Sequence, residues 1–146
     1  MQLLPVMVGK PMLVSAMASL DTNCILRWLL GDVPEHAALV TNLINTDESF
    51  AVADAVLIET VFVLEKLKKI SRESIGKALM AVIARDNILC NKTLFIEILP
   101  IYSSHPKLSF VDCYLEAIAR KTGNTPLWTF DEKLANQLSG SKLLSS

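Results

Sequence analysis

Glycine and proline are scarce in this sequence of 146 residues, with five of the first and six of the second, while 51% of the residues are apolar. This composition excludes disordered, collagen-like and linker proteins, which are rich in glycine or proline or poor in apolar side chains. A run of about 18 uncharged apolar residues, which a membrane helix needs, is also missing, so we expect no membrane partner. The formal net charge of −1 gives no global signal for nucleic-acid binding, although a local basic rim can accompany an acidic site.

Cysteine and histidine are equally few. The three cysteines, Cys24, Cys90 and Cys113, are far apart and form no CxxC pair. They predict buried thiols in a reducing, cytoplasmic compartment rather than a disulfide framework or a zinc knuckle. A His-rich metal site or a Ser-His-Asp triad would have to draw on His36 and His105 alone.

The length predicts one domain with a core of its own. We expect it to span residues 17–140, with residues 141–146 as a C-terminal tail. Residues 1–16 are interpreted as an N-terminal extension whose origin is open, because a single lysine and two prolines do not make a secretory signal. Met17 is a candidate for the true start, and intact residues 1–16 in a mass measurement of the native protein would reject that hypothesis.

Short apolar segments alternate with helical patterns along the chain, which predicts an α/β fold. Strands are expected near residues 17–21, 50–53 and 126–130. Helices are expected over residues 22–30, from 34 onward, and over 55–67, 72–86, 109–121 and 132–138, with a further helix near 95–99 that Pro100 kinks or ends. The predicted architecture is a three-layer α/β/α domain with a central parallel sheet covered on both faces.

Four carboxylates stand out by position. Asp21 and Asp131 each follow an apolar strand and precede a helix, where Asp is also a preferred N-cap. Ser109 and Asp112 have the S-x-x-D spacing of a capping box. Glu59 lies within AVLIETVFVL, where an ionised carboxylate costs several kcal/mol unless a cation or hydrogen-bond donors meet it. The alternative for Glu59 is a helix that exposes one narrow polar strip.

The four carboxylates together indicate more than each does alone. The carboxyl ends of parallel strands meet at one edge of a sheet, so Asp21 and Asp131 are expected there, and Asp112 and Glu59 can point toward it. Crowded carboxylates repel one another unless a cation neutralises them. Mg²⁺ or Mn²⁺ suits such hard oxygen ligands, and the pattern therefore predicts metal-assisted phosphodiester hydrolysis.

Four segments carry a resemblance to the PIN-domain ribonucleases, particularly the VapC-type toxins of toxin–antitoxin pairs. They are SLDTNCILRWLLGD (19–32), VLIETVFVLEKL (56–67), LSFVDCYLEAIARKTG (108–123) and LWTFDEKLA (127–135). The resemblance implies an Mg²⁺- or Mn²⁺-dependent endoribonuclease that cuts single-stranded RNA. It also implies Asp21, Asp112 and Glu59 as principal ligands, with Asp131 binding a second ion or ordering water. Asn23 and Thr129 match polar residues beside the family's site and would hold the carboxylates in place.

The resemblance also implies partners. Such toxins form homodimers and are silenced by a small VapB-like antitoxin, whose tail can place a basic side chain in the acidic site. The helix that bears Glu65, Lys66, Lys68 and Lys69 is a candidate partner surface, with a solvated polar face as the alternative. Five basic residues near the motifs could contact RNA phosphates or could be ordinary surface charges: Arg27, Lys107, Arg120, Lys121 and Lys133.

Two rival functions remain open. A haloacid-dehalogenase-like phosphatase also places an Asp after its first strand, but it needs a second Asp two residues later, where this chain has Asn23. A catalytically inactive PIN-fold module that binds RNA or protein would typically lack carboxylates that this chain retains.

Overall fold

The computed structural model describes residues 18–145, which fall into two compact units. The first unit contains the described residues up to Thr60 together with Ala81–Cys90, and the second contains Val61–Met80 and the residues from Asn91 onward. The expected N-terminal extension and Met17 lie outside the described residues. No helix within residues 18–145 is both long enough and apolar enough to cross a membrane.

The first unit contains a three-stranded parallel sheet in the order β1-β2-β3. In register, Ala18 lies opposite Phe50, and Phe50 lies opposite Ile88. The elements of this unit are β1 (Ala18–Ser19), α1 (Thr22–Leu30), α2 (Pro34–Ile44), β2 (Phe50–Ala51) and β3 (Ile88–Leu89), and α3 (Asp54–Phe62) begins in it. Helix α1 packs against α2.

The predicted bounds of α1 and the start of α2 are confirmed. Helix α1 ends at Gly31, whose φ of 63° lies in the left-handed region that glycine adopts without a steric penalty. Helix α2 begins with Pro34 in its first turn, where the missing N–H of proline costs nothing.

The second unit contains helices and a two-stranded parallel sheet. Its elements are a π-helical segment (Val63–Leu67), α4 (Arg72–Ile83, whose last residues belong to the first unit), α5 (Lys92–Ser104), α6 (Phe110–Lys121), β4 (Leu127–Thr129), α7 (Glu132–Gln137) and β5 (Ser141–Leu143). Helix α5 packs against α6. The contact includes the Tyr102 ring edge-on to Phe110 at 5.2 Å between centroids. The α/β fold with parallel strands is confirmed.

Three of the predicted helices differ in the structure. The helix expected over residues 55–67 changes to π-helical geometry at Val63, where the N–H of Lys68 donates to the Val63 carbonyl at 3.0 Å. The helix expected over residues 72–86 stops at Ile83, and the β3 strand that follows was not predicted. Helix α5 continues through Pro100 to Ser104, so the expectation that proline could end it is not met. Burial of one side of α5 outweighs the hydrogen bond that Pro100 cannot donate.

The residues expected to form a C-terminal tail include strand β5, which pairs with β4 from Leu127 opposite Ser141 to Thr129 opposite Leu143. The turn before β5 is held by Glu116 of α6, a buried carboxylate that accepts from the Gly140 N–H at 3.0 Å. A Cβ atom at Gly140 would lie 2.5 Å from the Glu116 carboxylate, so a larger residue there would force this carboxylate to move.

Candidate active site

Asp21 lies at the carboxyl end of β1 and caps α1. Its Oδ1 atom accepts a hydrogen bond from the Cys24 N–H at 2.9 Å, and its side chain is exposed. The Cys24 backbone N–H, with smaller help from the Cys24 side chain and the Asn23 N–H, lowers the pKa of Asp21 below its ordinary value. Burial alone would raise the pKa of Asp21, but these hydrogen bonds outweigh it. Asp21 is therefore both the predicted cap and an exposed anion at the end of a strand.

Glu59 is held beside this strand end by a residue that we did not single out in the sequence. The Thr22 hydroxyl donates to Glu59 Oε1 at 2.6 Å, and Thr22 directly follows Asp21. The structure thus brings Asp21 and Glu59 to the same end of β1. In the sequence, only the position of Thr22 directly after Asp21 could have indicated its contact with Glu59.

The apolar surroundings expected for Glu59 are not observed. Glu59 is exposed, and nearby apolar side chains on its helix are exposed as well, with Phe62 at 56%. Glu59 is thus exposed, as the alternative expects, but the exposed face of the helix also carries Phe62 and is not a narrow polar strip. The energetic argument from burial was wrong, because the apolar residues around Glu59 do not enclose it.

Asp112 and Asp131 begin helices of the second unit. Asp112 forms the predicted capping box: its N–H donates to Ser109 Oγ and its Oδ2 accepts from the Ser109 N–H, both at 3.1 Å. Asp131 caps α7 and accepts from the Lys133 N–H at 2.9 Å. The Thr129 hydroxyl accepts from the Asp131 N–H at 3.0 Å, so Thr129 contacts the backbone of Asp131 rather than its carboxylate.

A groove of about 420 Å³ lies beside Asp21 in the first unit. Its walls come from α1 and α2, and its apolar side chains include Leu39 and Leu43, which are 67% and 43% exposed. Asn23 and His36 also line it. The groove therefore combines an apolar floor with an anionic group.

Comparison with models of protein families shows the family to which the chain belongs. The model of the PIN domain family matches residues 18–137. The chain belongs to the PIN domain family. Searches of curated proteins and of solved structures found no match. PIN domains are typically nucleases, and this PIN domain accordingly has a nuclease fold.

The carboxylates of this PIN domain have the chemistry of ligands for a hard divalent cation. Asp21 and Glu59 could hold one in the first unit, since both are exposed and Thr22 links Glu59 to the strand end. Mg²⁺ is commonly bound by one or two carboxylates together with water and substrate phosphates, so this pair fits such an ion. Within residues 18–145, no three His, Cys, Asp or Glu side chains are gathered so as to hold a metal ion.

The five basic residues near the motifs differ in whether they form ion pairs with acidic side chains. Arg27 pairs with Asp32 at 3.2 Å. The ion pairs of α6 also join two of these residues to acidic partners: Arg120 to Glu97 at 2.7 Å and to Glu116 at 3.0 Å, and Lys121 to Glu97 at 3.0 Å. Lys107 and Lys133 are exposed. The three paired cations are partly neutralised by neighbouring carboxylates, which weakens the argument that they contact RNA.

The lowered pKa of Asp21 predicts a change in stability with pH. A carboxyl whose pKa is lower in the folded state stabilises the protein above its unfolded pKa of about 3.9, and this contribution disappears as pH falls through the folded pKa. The Asp21→Asn variant has no carboxyl group to ionise at this position, but asparagine can still cap the helix. Urea unfolding with EDTA should therefore show wild type losing more stability than the variant between about pH 6 and pH 2. A constant difference across this range would contradict the prediction.

Proposed function

We propose that this PIN domain is a metal-dependent endoribonuclease that cuts single-stranded RNA, using Mg²⁺ or Mn²⁺. The observation that supports the proposal is the hydrogen bond from the Thr22 hydroxyl to Glu59, which holds this carboxylate beside the residue that follows Asp21, in a chain of this family. When bound, the ion would lower the pKa of a water molecule and stabilise charge on the phosphate. Asp112 and Asp131 are proposed as the further carboxylates of the same reaction.

The first-unit residues prepare this chemistry through their hydrogen bonds. The Cys24 N–H holds one oxygen of the Asp21 carboxylate in place and stabilises the charged form of this side chain. The Thr22 hydroxyl restricts Glu59, an exposed side chain with several rotatable bonds, and so reduces the entropy lost when an ion binds. In the second unit, Thr129 fixes the backbone at Asp131.

We further propose that the protein is the toxin of a toxin–antitoxin pair and acts as a homodimer. The groove of the first unit supports an antitoxin as partner, because an apolar peptide segment could cover Leu39 and Leu43. A basic side chain on that peptide could then meet Asp21, which lines the same groove. Binding there would silence the enzyme through the same carboxylate that the reaction requires.

Cleavage of single-stranded RNA with and without metal tests the proposed activity. We expect cleavage in millimolar Mg²⁺ or Mn²⁺, none in EDTA, and recovery when the metal is restored. Because water rather than the ribose 2′-hydroxyl is the proposed nucleophile, the products should contain no 2′,3′-cyclic phosphate. Full cleavage in EDTA, or cyclic phosphate ends, would overturn the mechanism. No cleavage under any condition would favour the inactive binding module, and release of phosphate from small phosphomonoesters would favour the phosphatase.

A further inference from the structure

Two aromatic side chains at the end of β4 are exposed to solvent. Trp128 is 53% exposed and Phe130 is 79% exposed, in the sequence that leads directly into Asp131. The aromatic rings of α5 and α6 in the same unit are packed against one another, as in the contact between Phe95 and Phe110 at 6.1 Å. Trp128 and Phe130 thus forgo most of the stabilisation that burial of a large ring provides.

Positive charge accompanies these rings. Lys142 lies opposite Trp128 in the pairing of β5 with β4, and its Nζ atom is 5.5 Å from the centroid of the Trp128 ring. Lys133, in the first turn of α7, is exposed, and its N–H donates to Asp131. The end of β4 therefore presents two rings close in sequence to a proposed catalytic carboxylate, with the Lys142 ammonium near the Trp128 ring and Lys133 two residues after that carboxylate.

We propose that Trp128 and Phe130 form a stacking platform for unpaired RNA bases, with Lys142 and Lys133 contacting the flanking phosphates. Single-stranded nucleic acids are bound by aromatic rings that stack on bases together with cations that follow the backbone. A protein partner would cover the rings equally well, but it would not need two cations beside them. This inference rests on the proposed function, because it supplies the substrate of that same site.

The position of the platform has a consequence for the reaction. Phe130 and Asp131 are adjacent, and the Thr129 hydroxyl fixes the backbone at Asp131. A base stacked on Phe130 would therefore lie next to the residue that carries a proposed catalytic carboxylate. The platform would select RNA by its single-stranded state and tolerate many base sequences, since every base offers a π-face.

The chain allows binding to be measured by fluorescence. Its two tryptophans are Trp28 and Trp128. Trp28 is half-buried, with the Arg85 guanidinium 5.5 Å from its ring centroid. In a Trp28→Phe background, addition of single-stranded oligouridine in EDTA should quench the remaining emission in a saturable manner. A Phe130→Leu substitution keeps an apolar side chain but removes the ring, and we expect it to weaken binding about tenfold.

Further variants and ligands distinguish base stacking from binding by charge alone and from binding to any exposed apolar side chain. Phe130→Tyr should retain the wild-type affinity, and Ile96→Ala, which removes an exposed apolar side chain from α5, should leave it unchanged. An oligomer of the same length without bases should bind weakly. Equal affinity for that oligomer, no effect of Phe130→Leu, or self-association that disappears in Phe130→Leu would each overturn the platform. Base-dependent binding in EDTA without any cleavage in metal would retain the platform and reject the proposed nuclease activity.

Discussion

Asp21→Asn should abolish metal-dependent RNA cleavage while leaving the fold intact. Asparagine is as good an N-cap as aspartate, and its side-chain oxygen can still accept from the Cys24 N–H. The substitution removes only the negative charge that would hold the cation. Loss of residues that merely orient metal ligands costs about 10- to 100-fold, so loss of a ligand should reduce the cleavage rate by more than about a hundredfold.

The matched control for this variant is Asp47→Asn, which removes an exposed carboxylate from the same unit without touching β1 or α1. It should cleave RNA at the wild-type rate. A second measurement is the melting temperature. Mn²⁺ should raise it for wild type and for Asp47→Asn, because an ion that binds the native state stabilises it. Mn²⁺ should not raise the melting temperature of Asp21→Asn, which lacks the ligand. Wild-type cleavage by Asp21→Asn would remove Asp21 from the site.

Local sequence signals predicted the helix starts at the candidate site. Aspartate and serine are preferred caps directly before a helical pattern. The starts of α1, α6 and α7 could therefore be predicted from Asp21, Ser109 and Asp131. Asp21 and Asp131 are also candidate ligands, as is Asp112, the partner of Ser109 in its capping box. Capping and metal binding do not compete here, because a cap engages one carboxylate oxygen with a backbone N–H and leaves the charge in place.

Features that depend on the rest of the fold could not be predicted in this way. Strand β3 is only two residues long, too short to show an alternating pattern, and it exists because Phe50 and Ala51 offer it a partner. The exposure of Glu59 depends on which face of α3 is covered, and a helix that is apolar on nearly every side gives no periodic signal for that face. Thr22 reaches Glu59 across 37 positions of sequence.

Glu65, which the sequence places on a solvated or partner-binding face, makes a tertiary contact that was not predicted. Glu65 is half-buried, and its Oε1 accepts from the Tyr102 hydroxyl at 2.6 Å. Its Oε2 accepts from Arg72 Nε at 3.1 Å. Burial alone would raise the pKa of Glu65, but the Tyr102 hydroxyl and the Arg72 charge outweigh burial and lower the pKa. The partners lie 37 and 7 positions away, on α5 and α4.

Arg72 is the centre of this network, and its removal should cause the largest loss of stability that we predict. Besides Glu65, its guanidinium donates to the Tyr102 and His105 carbonyls at 2.9 and 3.1 Å and lies 4.1 Å from the centroid of the Tyr102 ring. Arg72→Met keeps much of the apolar stem but removes the donor to two carbonyls and to Glu65 Oε2, so that Glu65 keeps only the Tyr102 hydroxyl at 2.6 Å and the Lys66 ammonium at 3.8 Å. We expect a loss of about 2–4 kcal/mol in the free energy of unfolding, measured with urea at neutral pH.

Lys77→Met on the same helix is the matched control. Lys77 pairs with Glu73 at 4.0 Å, and both side chains are about 80% exposed, so losing this pair should cost less than about 0.5 kcal/mol. The double variant Glu65→Leu/Arg72→Met should lose less stability than the sum of the two single variants, because each single variant already breaks the same ion pair. Equal effects of the Arg72 and Lys77 variants, or strict additivity in the double variant, would show that the network contributes no more than a surface ion pair.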